Sequence, residues 1–300
     1  MILANKNIDG LRSLSQIFTT SNFNKVVRDN DYKFTEKKIK KYCSSISSST
    51  TYVKALKTLY SELQSEYRSE YFYKNSLLFK YLLQQYSLAT TTVFNEFKIG
   101  NSIADFVLLN GTARVFEIKT DLDGLEKLGK QINDYRKFAD LVYIVTSSKY
   151  VDKILLDYSN STIGVIEFTQ RNTFKEHKKA QSNINYFNHL AIFKTLRKSE
   201  YLAITKDYFG YIPEVPNTKI FRVCFDLISE IELPVFQKMA FLKLKNRKIK
   251  CPALLESDKT PFELKQICYS LDFSQREYET LFTFLNKTID VFPIFKRQTI

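Results

Sequence analysis

The stretch from Asn95 to Ile144, NEFKIGNSIADFVLLNGTARVFEIKTDLDGLEKLGKQINDYRKFADLVYI, decides the fold. Thr92 to Ile99 is rich in β-branched and aromatic residues, Gly100-Asn101 is a two-residue turn signal, and Ile103 to Leu109 resumes a strand. In a tight hairpin the position numbers of cross-strand partners sum to a constant, so Glu96 falls opposite Asp105. Opposed side chains share a face with Cβ atoms about 5 Å apart. Two carboxylates that close repel unless a cation or a proton lies between them, so removing an acid here is expected, if anything, to stabilise the metal-free protein.

Asn110-Gly111 marks the next turn, and Ala113 to Thr120 the next strand, on which Glu117 and Lys119 are two apart and point to one side. A two-residue loop places Phe116 opposite Asp105, whereas a three-residue Asn110-Gly111-Thr112 loop places Glu117 there. Alone, Glu-x-Lys alternating with Phe116 and Ile118 reads as an ordinary strand, polar outside and apolar inside. A helix follows, with Asp123 as N-cap and Glu126 completing a capping-box pattern. Leu125, Leu128, Ile132, Tyr135 and Phe138 form its buried stripe, and Gln131 and Tyr135 share a face as i and i+4. Leu141 to Ser147, Tyr150 to Asp157 and Thr162 to Phe168 then read as strand, helix and strand, a crossover in a mixed sheet.

Asp105, Glu117-Ile118-Lys119 and Gln131-x-x-x-Tyr135 in this order resemble the PD-(D/E)xK nuclease superfamily, in its RecB-like Gln-x-x-x-Tyr branch. The spelling Glu117-Ile118-Lys119-Thr120-Asp121 with Leu125, Leu128 and Gln131 looks most like the bacterial sce7726-type family. The likeness covers roughly residues 71–168, and a weaker one extends through Leu196-Arg197-Lys198-Ser199-Glu200. It implies an α/β, restriction-endonuclease-like αβββαβ core with a mixed central sheet and helical N- and C-terminal extensions. It also implies Asp105 and Glu117 as metal carboxylates, the Ile118 backbone carbonyl as a further ligand, and Glu96 as a possible one. Lys119 would orient or activate water, while Gln131 and Tyr135 line the catalytic site. The ion implied is Mg²⁺ or Mn²⁺, and hard ions of this kind take oxygen ligands and keep several waters. Relatives often carry Arg where Ile103 stands, and the Pro or Gly often found ahead of the first Asp is absent.

Forty-five Lys and Arg against thirty-two Asp and Glu give a net charge of +13, which favours a polyanionic partner, here nucleic acid and first of all DNA. Cys43, Cys224, Cys251 and Cys268 lack zinc or disulfide spacing and read as reduced, mostly buried thiols. His177 and His189 are the only histidines, which argues against a histidine-metal nuclease and a Ser-His hydrolase. No apolar run reaches membrane-spanning length and the N-terminus lacks signal-peptide order, so a cytoplasmic location and no membrane partner are expected.

Three regions are expected: a helical, basic N-terminal segment (1–50), the nuclease-like core (51–170) and a helical C-terminal domain (171–300). Lys243, Lys245, Arg247 and Lys248 form the densest basic run and are candidates for contact with nucleic-acid phosphates. Two closely connected helices near the end, with Gln275 and Arg276 opening the second, invite a helix-turn-helix reading, although an ordinary αα-hairpin is preferred. The function expected is a metal-dependent nuclease acting on DNA. The alternatives are a catalytically silent nucleic-acid-binding or interaction protein that retains the nuclease fold, and an RNA-directed nuclease.

Overall fold

The computed structural model describes residues 7–43 and 49–289. The chain divides into two compact units, one of Met1–Phe79 with Ile249–Ile300 and one of Lys80–Lys248, rather than at residues 50 and 170. The two ends of the chain share a unit because the Tyr52–Glu66 helix packs on the Gln275–Asn286 helix, and Thr51 bridges to Thr288.

The second unit is α/β. Its sheet, among the described residues, has six strands in sequence order: β1 (Thr92–Ile99), β2 (Ser102–Asn110), β3 (Thr112–Lys119), β4 (Leu141–Thr146), β5 (Gly164–Phe168) and β6 (Phe174–Lys178). β1, β2 and β3 run antiparallel, β3, β4 and β5 parallel, and β6 returns antiparallel. The Ser148–Asp157 helix makes the crossover from β4 to β5. Sequence patterning does not foresee β6, whose FKEHK has little apolar content. Its place is fixed by pairing with β5 and by a Phe168–Phe174 stack at 4.7 Å.

Val107, Leu109, Ala113, Val115, Val142, Ile144 and Val165 line one sheet face and pack with Leu128, Ile132, Tyr135 and Phe138. The same core takes in Phe193, Ile204, Cys224, Phe236 and Leu244 from helices within residues 189–245, so those helices belong to the sheet's unit and not to a separate domain. The helix after β3 is shorter than expected, Leu128–Arg136. Asp123 does not cap it, because its Oδ2 accepts from the Thr120 N–H (2.8 Å) and hydroxyl (2.7 Å) instead. The helices Thr20–Arg28 and Lys198–Phe209 follow the N-caps Thr19 and Arg197, within the regions expected to be helical.

Gly100 has φ +60, and a Cβ there would lie 3.0 Å from the Asp134 carboxylate. The turn therefore needs glycine both for its backbone and for the close approach of the helix. Asp134 accepts from the Asn101 N–H (3.2 Å) and the Ser102 hydroxyl (2.8 Å), which ties the hairpin tip to the helix. Burial opposes its ionisation, but Ser102, Lys137 and the Asn101 N–H outweigh it and hold the carboxyl below its ordinary range.

Candidate functional site

The register of β1 against β2, with Asn95↔Phe106 and Phe97↔Ala104, puts Glu96 at the position opposite Asp105. Glu96 is exposed, however, and its φ of +53 is a left-handed conformation inside a strand. Among the described residues no group of three or more His, Cys, Asp or Glu is arranged to hold a metal ion, so Glu96 does not complete a cage with Asp105 and Glu117.

Between β2 and β3 the pairs Leu109↔Ala113 and Phe106↔Phe116 mean that the three-residue loop is the one present. Continued by one position, the same register puts Glu117 opposite Asp105. The half-buried Asp105 carboxylate accepts the Ile118 N–H through Oδ2 at 2.8 Å. A strand residue directs its N–H and C=O to the same edge, so the Ile118 carbonyl also faces β2.

Glu117 is only 2% exposed and does not point to solvent. It lies on the helix-covered face, just past Val115, where the apolar cluster ends in polar side chains. Its Oε1 accepts from the Lys119 ammonium (2.9 Å) and the Gln131 amide, and its Oε2 from the Tyr135 hydroxyl (2.7 Å). The Tyr135 hydroxyl also reaches the Ile103 carbonyl at 2.8 Å. Burial first, then the negative charge of Glu117 and of Asp105, pushes the Tyr135 phenol far above its ordinary range, so it stays a donor. Gln131 Oε1 is buried and has no hydrogen-bond partner.

Asp105, Glu117, Lys119, Gln131 and Tyr135 are thus brought to one face. Against the expectation that removing an acid stabilises the metal-free protein stands the cation already beside Glu117, Lys119. A buried carboxylate is tolerated when it is paired and fully hydrogen-bonded, and deleting it strands the lysine. The donor set suits a hard divalent ion: two carboxylates and a carbonyl turned to the same edge, with water for the remaining positions and the unpartnered Gln131 Oε1 beside them to accept from such a water.

The face continues across the parallel strands. Lys119 pairs in register with Thr146, Thr146 with Glu167, and Glu167 with Lys175. Glu167 accepts from the Ser148 hydroxyl (2.6 Å) and meets His177 Nε2 at 2.7 Å. These two bonds hold its carboxyl below the ordinary range. Sequence reading missed Glu167. The one signal for it is its position two residues beyond Val165 at the end of a parallel strand, which means nothing until the register is known.

The basic run is partly consumed by structure. Lys243 pairs with Asp207 at 2.6 Å, and Arg247 donates to Glu200 Oε1 (2.6 Å) and the Thr195 carbonyl (3.1 Å). Burial opposes ionisation of Glu200, but Arg247 and the Arg197 N–H hold its carboxyl below the ordinary range. Glu200 is therefore an anchor for Arg247. Lys248 is exposed and Lys245 half-buried. Cys43, Cys224 and Cys268 are buried and Cys251 half-buried, all as free thiols. No helix among the described residues is long and apolar enough to cross a membrane.

Comparison with known proteins finds 29% identity to Protein cII of Enterobacteria phage P4 over 178 residues, which is 57% of this chain and 64% of that protein. The chain thus spans under two thirds of the length of that relative. Among solved structures, the SPO1766 protein of unknown function from Silicibacter pomeroyi is similar at 14% identity over 33% of this chain and 64% of that one, with a TM-score of 0.27, a likeness that carries no argument. The sequence pattern of the family Bacteriophage P4 protein cII matches residues 63–266, a span that includes every residue of the site above and more than half of the chain, and the chain belongs to that family.

Proposed function

We propose that this chain is a divalent-metal-dependent nuclease of the PD-(D/E)xK plan, hydrolysing phosphodiester bonds of DNA in the cytoplasm of a phage-infected or phage-carrying bacterium. One observation carries the reading: Asp105, Glu117 and Lys119 lie on one face, with Glu117 gripped by Gln131 and Tyr135. Asp105, Glu117 and the Ile118 carbonyl would hold Mg²⁺ or Mn²⁺. Such an ion, when bound, polarises a phosphoryl oxygen and lowers the pKa of bound water. Tyr135 and Gln131 fix the Glu117 carboxylate from two sides, so its oxygens do not reorient as charge builds up. Gln131 Oε1 has acceptor capacity to hold a proton of the attacking water. Lys119, once drawn from Glu117 to a phosphate, stabilises the extra negative charge of the transition state.

A second reading, a silent nucleic-acid-binding protein on the same fold, is favoured by the engagement of both Glu117 oxygens within the protein. The test is incubation of the full chain with labelled linear, circular and single-stranded DNA and with RNA, in Mg²⁺, Mn²⁺ or EDTA. Cleavage that needs metal and disappears in Asp105→Asn and Glu117→Gln supports the nuclease. Cleavage that persists in both variants refutes it, and so does a parent inactive on every substrate with no Mn²⁺ affinity by calorimetry. Preference for RNA over every DNA would transfer the reading to an RNA-directed enzyme.

A further inference from the structure

The unit formed by the two chain ends holds a helix, a three-residue turn and a second helix: Lys265–Leu271, Asp272-Phe273-Ser274, and Gln275–Asn286. Asp272 has φ 46 and ψ 58, the left-handed conformation that turns a chain sharply out of a helix. Its carboxylate accepts the Lys250 N–H at 2.7 Å, which fixes the turn. Ser274 and Glu277 form a reciprocal capping box that starts the second helix. Buried Phe273 plugs the turn, and Ile267, Cys268, Tyr278 and Leu281 are buried on either side of it.

An αα-hairpin packs its two helices side by side. Here they hardly touch beyond the turn, and each packs instead against the Thr20–Arg28 helix. Arg28 braces the junction, donating to Glu277 Oε1 (2.6 Å) and to the Leu271 carbonyl (3.1 Å). Two helices joined by a three-residue turn, both packed on a third helix rather than along each other, fit a helix-turn-helix better than the hairpin preferred from sequence.

The outer face of the second helix presents Gln275, Arg276, Glu279, Thr283 and Asn286, all exposed. From Arg276 these follow at intervals of three, four and three and form one straight stripe. Arg matches guanine, Gln and Asn match adenine, Glu accepts from cytosine, and Thr suits either a base edge or the thymine methyl. An open cleft of about 730 Å³ lies between this stripe and the end of the bracing helix, with Arg276, Glu279 and Thr283 on one wall and Arg28 and Asn30 on the other. Glu277 is neutralised by Arg28, and Arg276 and Lys25 stand exposed on the second and the bracing helix.

We propose that residues 265–286 are a helix-turn-helix whose Gln275–Asn286 helix reads base edges in the major groove of duplex DNA. This rests on residues outside the metal-site unit and does not depend on the nuclease reading. The test is run in EDTA, so that binding and cleavage succeed or fail separately. The full chain is used to enrich duplexes from a randomised pool, and the enriched duplex and a scrambled one are titrated by fluorescence anisotropy. Gln275→Ala and Arg276→Lys should each lose about tenfold or more in preference for the enriched duplex, a typical contribution of one bidentate base contact. Affinity for the scrambled duplex should stay near the parent's, because Arg276→Lys keeps the charge and removes only the planar fork. Thermal midpoints equal to the parent's will show that both variants fold. The proposal is overturned if the parent enriches no sequence, if both variants keep the full preference, or if single-stranded DNA or RNA outcompetes the duplex.

Discussion

Replacing Glu117 by Ala in metal-free protein is the sharpest probe of the site. Glu117 is 2% and Lys119 9% exposed, so the variant leaves an ammonium almost wholly buried without its carboxylate. It also leaves the Tyr135 hydroxyl with one acceptor and the Gln131 amide without this one. Removing one partner of a buried ion pair costs about 3–5 kcal/mol. In a domain of this size that lowers Tm by about 10 °C, at about 2–4 °C per kcal/mol. Adding Lys119→Met to the Glu117→Ala variant removes the stranded charge and should recover about half of the loss, since apolar replacement of a buried pair is often neutral. The assay is urea and thermal denaturation in EDTA, followed by circular dichroism, on the parent, both single variants and the double variant. A Glu117→Ala protein as stable as the parent would refute the reasoning, because repulsion from Asp105 would then outweigh the grip of Lys119, Gln131 and Tyr135.

Asp105→Ala, which orphans the Ile118 N–H, should cost less, about 1–3 kcal/mol by the same denaturation assay. Gly100→Ala should lower stability by more than about 1 kcal/mol, since it forces an L side chain into φ +60 and against Asp134; hydrogen exchange at Asn101 and Ser102 should rise with it. The Glu277 carboxyl is depressed to about 2 by hydrogen bonds from the Ser274 N–H, Arg28 and the Ser274 hydroxyl, which overcome an opposing burial effect. A carboxyl lowered in the folded state gives stability that is complete above its unfolded pKa of about 4.5 and is lost as pH falls toward 2. With Arg28 40% exposed and solvent screening allowed for, this amounts to about 1 kcal/mol, and Arg28→Ala should flatten the acid limb of the stability profile. Arg247→Ala should destabilise the fold by about 2 kcal/mol or more through Glu200, whereas Lys248→Ala should leave Tm unchanged; equal effects would mean that the Glu200 pair adds nothing.

The core and its site were legible because they rest on short-range rules. Two hairpin turns fix the registers that set Asp105 against Glu96 and Glu117, and i, i+4 spacing places Gln131 over the same face as Tyr135. What sequence could not supply was direction at one strained residue. Glu96 lies at the position opposite Asp105 yet is exposed, because its left-handed φ is not encoded in strand patterning. The Asp123 cap failed for a related reason: a carboxylate within three residues of Thr120 has a competing partner, and propensity does not choose between them. β6 pairs with its neighbour β5 but is too polar for strand patterning to mark it, and the division into units depends on contacts between distant segments, such as Thr51 with Thr288, which no local pattern records. The basic run looked like a phosphate track because charge was counted without its partners, Asp207 and Glu200.

Asp134 and Tyr135, adjacent in one helical turn, hold Asn101, Ser102 and Ile103, three consecutive residues of the hairpin tip. Tyr135 and Ile103 are 32 residues apart, and β3 with Glu117 and Lys119 lies on the chain between them. The site strand is therefore enclosed within a loop that this clasp closes. Closure of a loop that short costs little entropy, so hairpin, site strand and helix should form and open as one cooperative segment. Any opening that draws Tyr135 away from Glu117 therefore also loosens its hold on the hairpin tip.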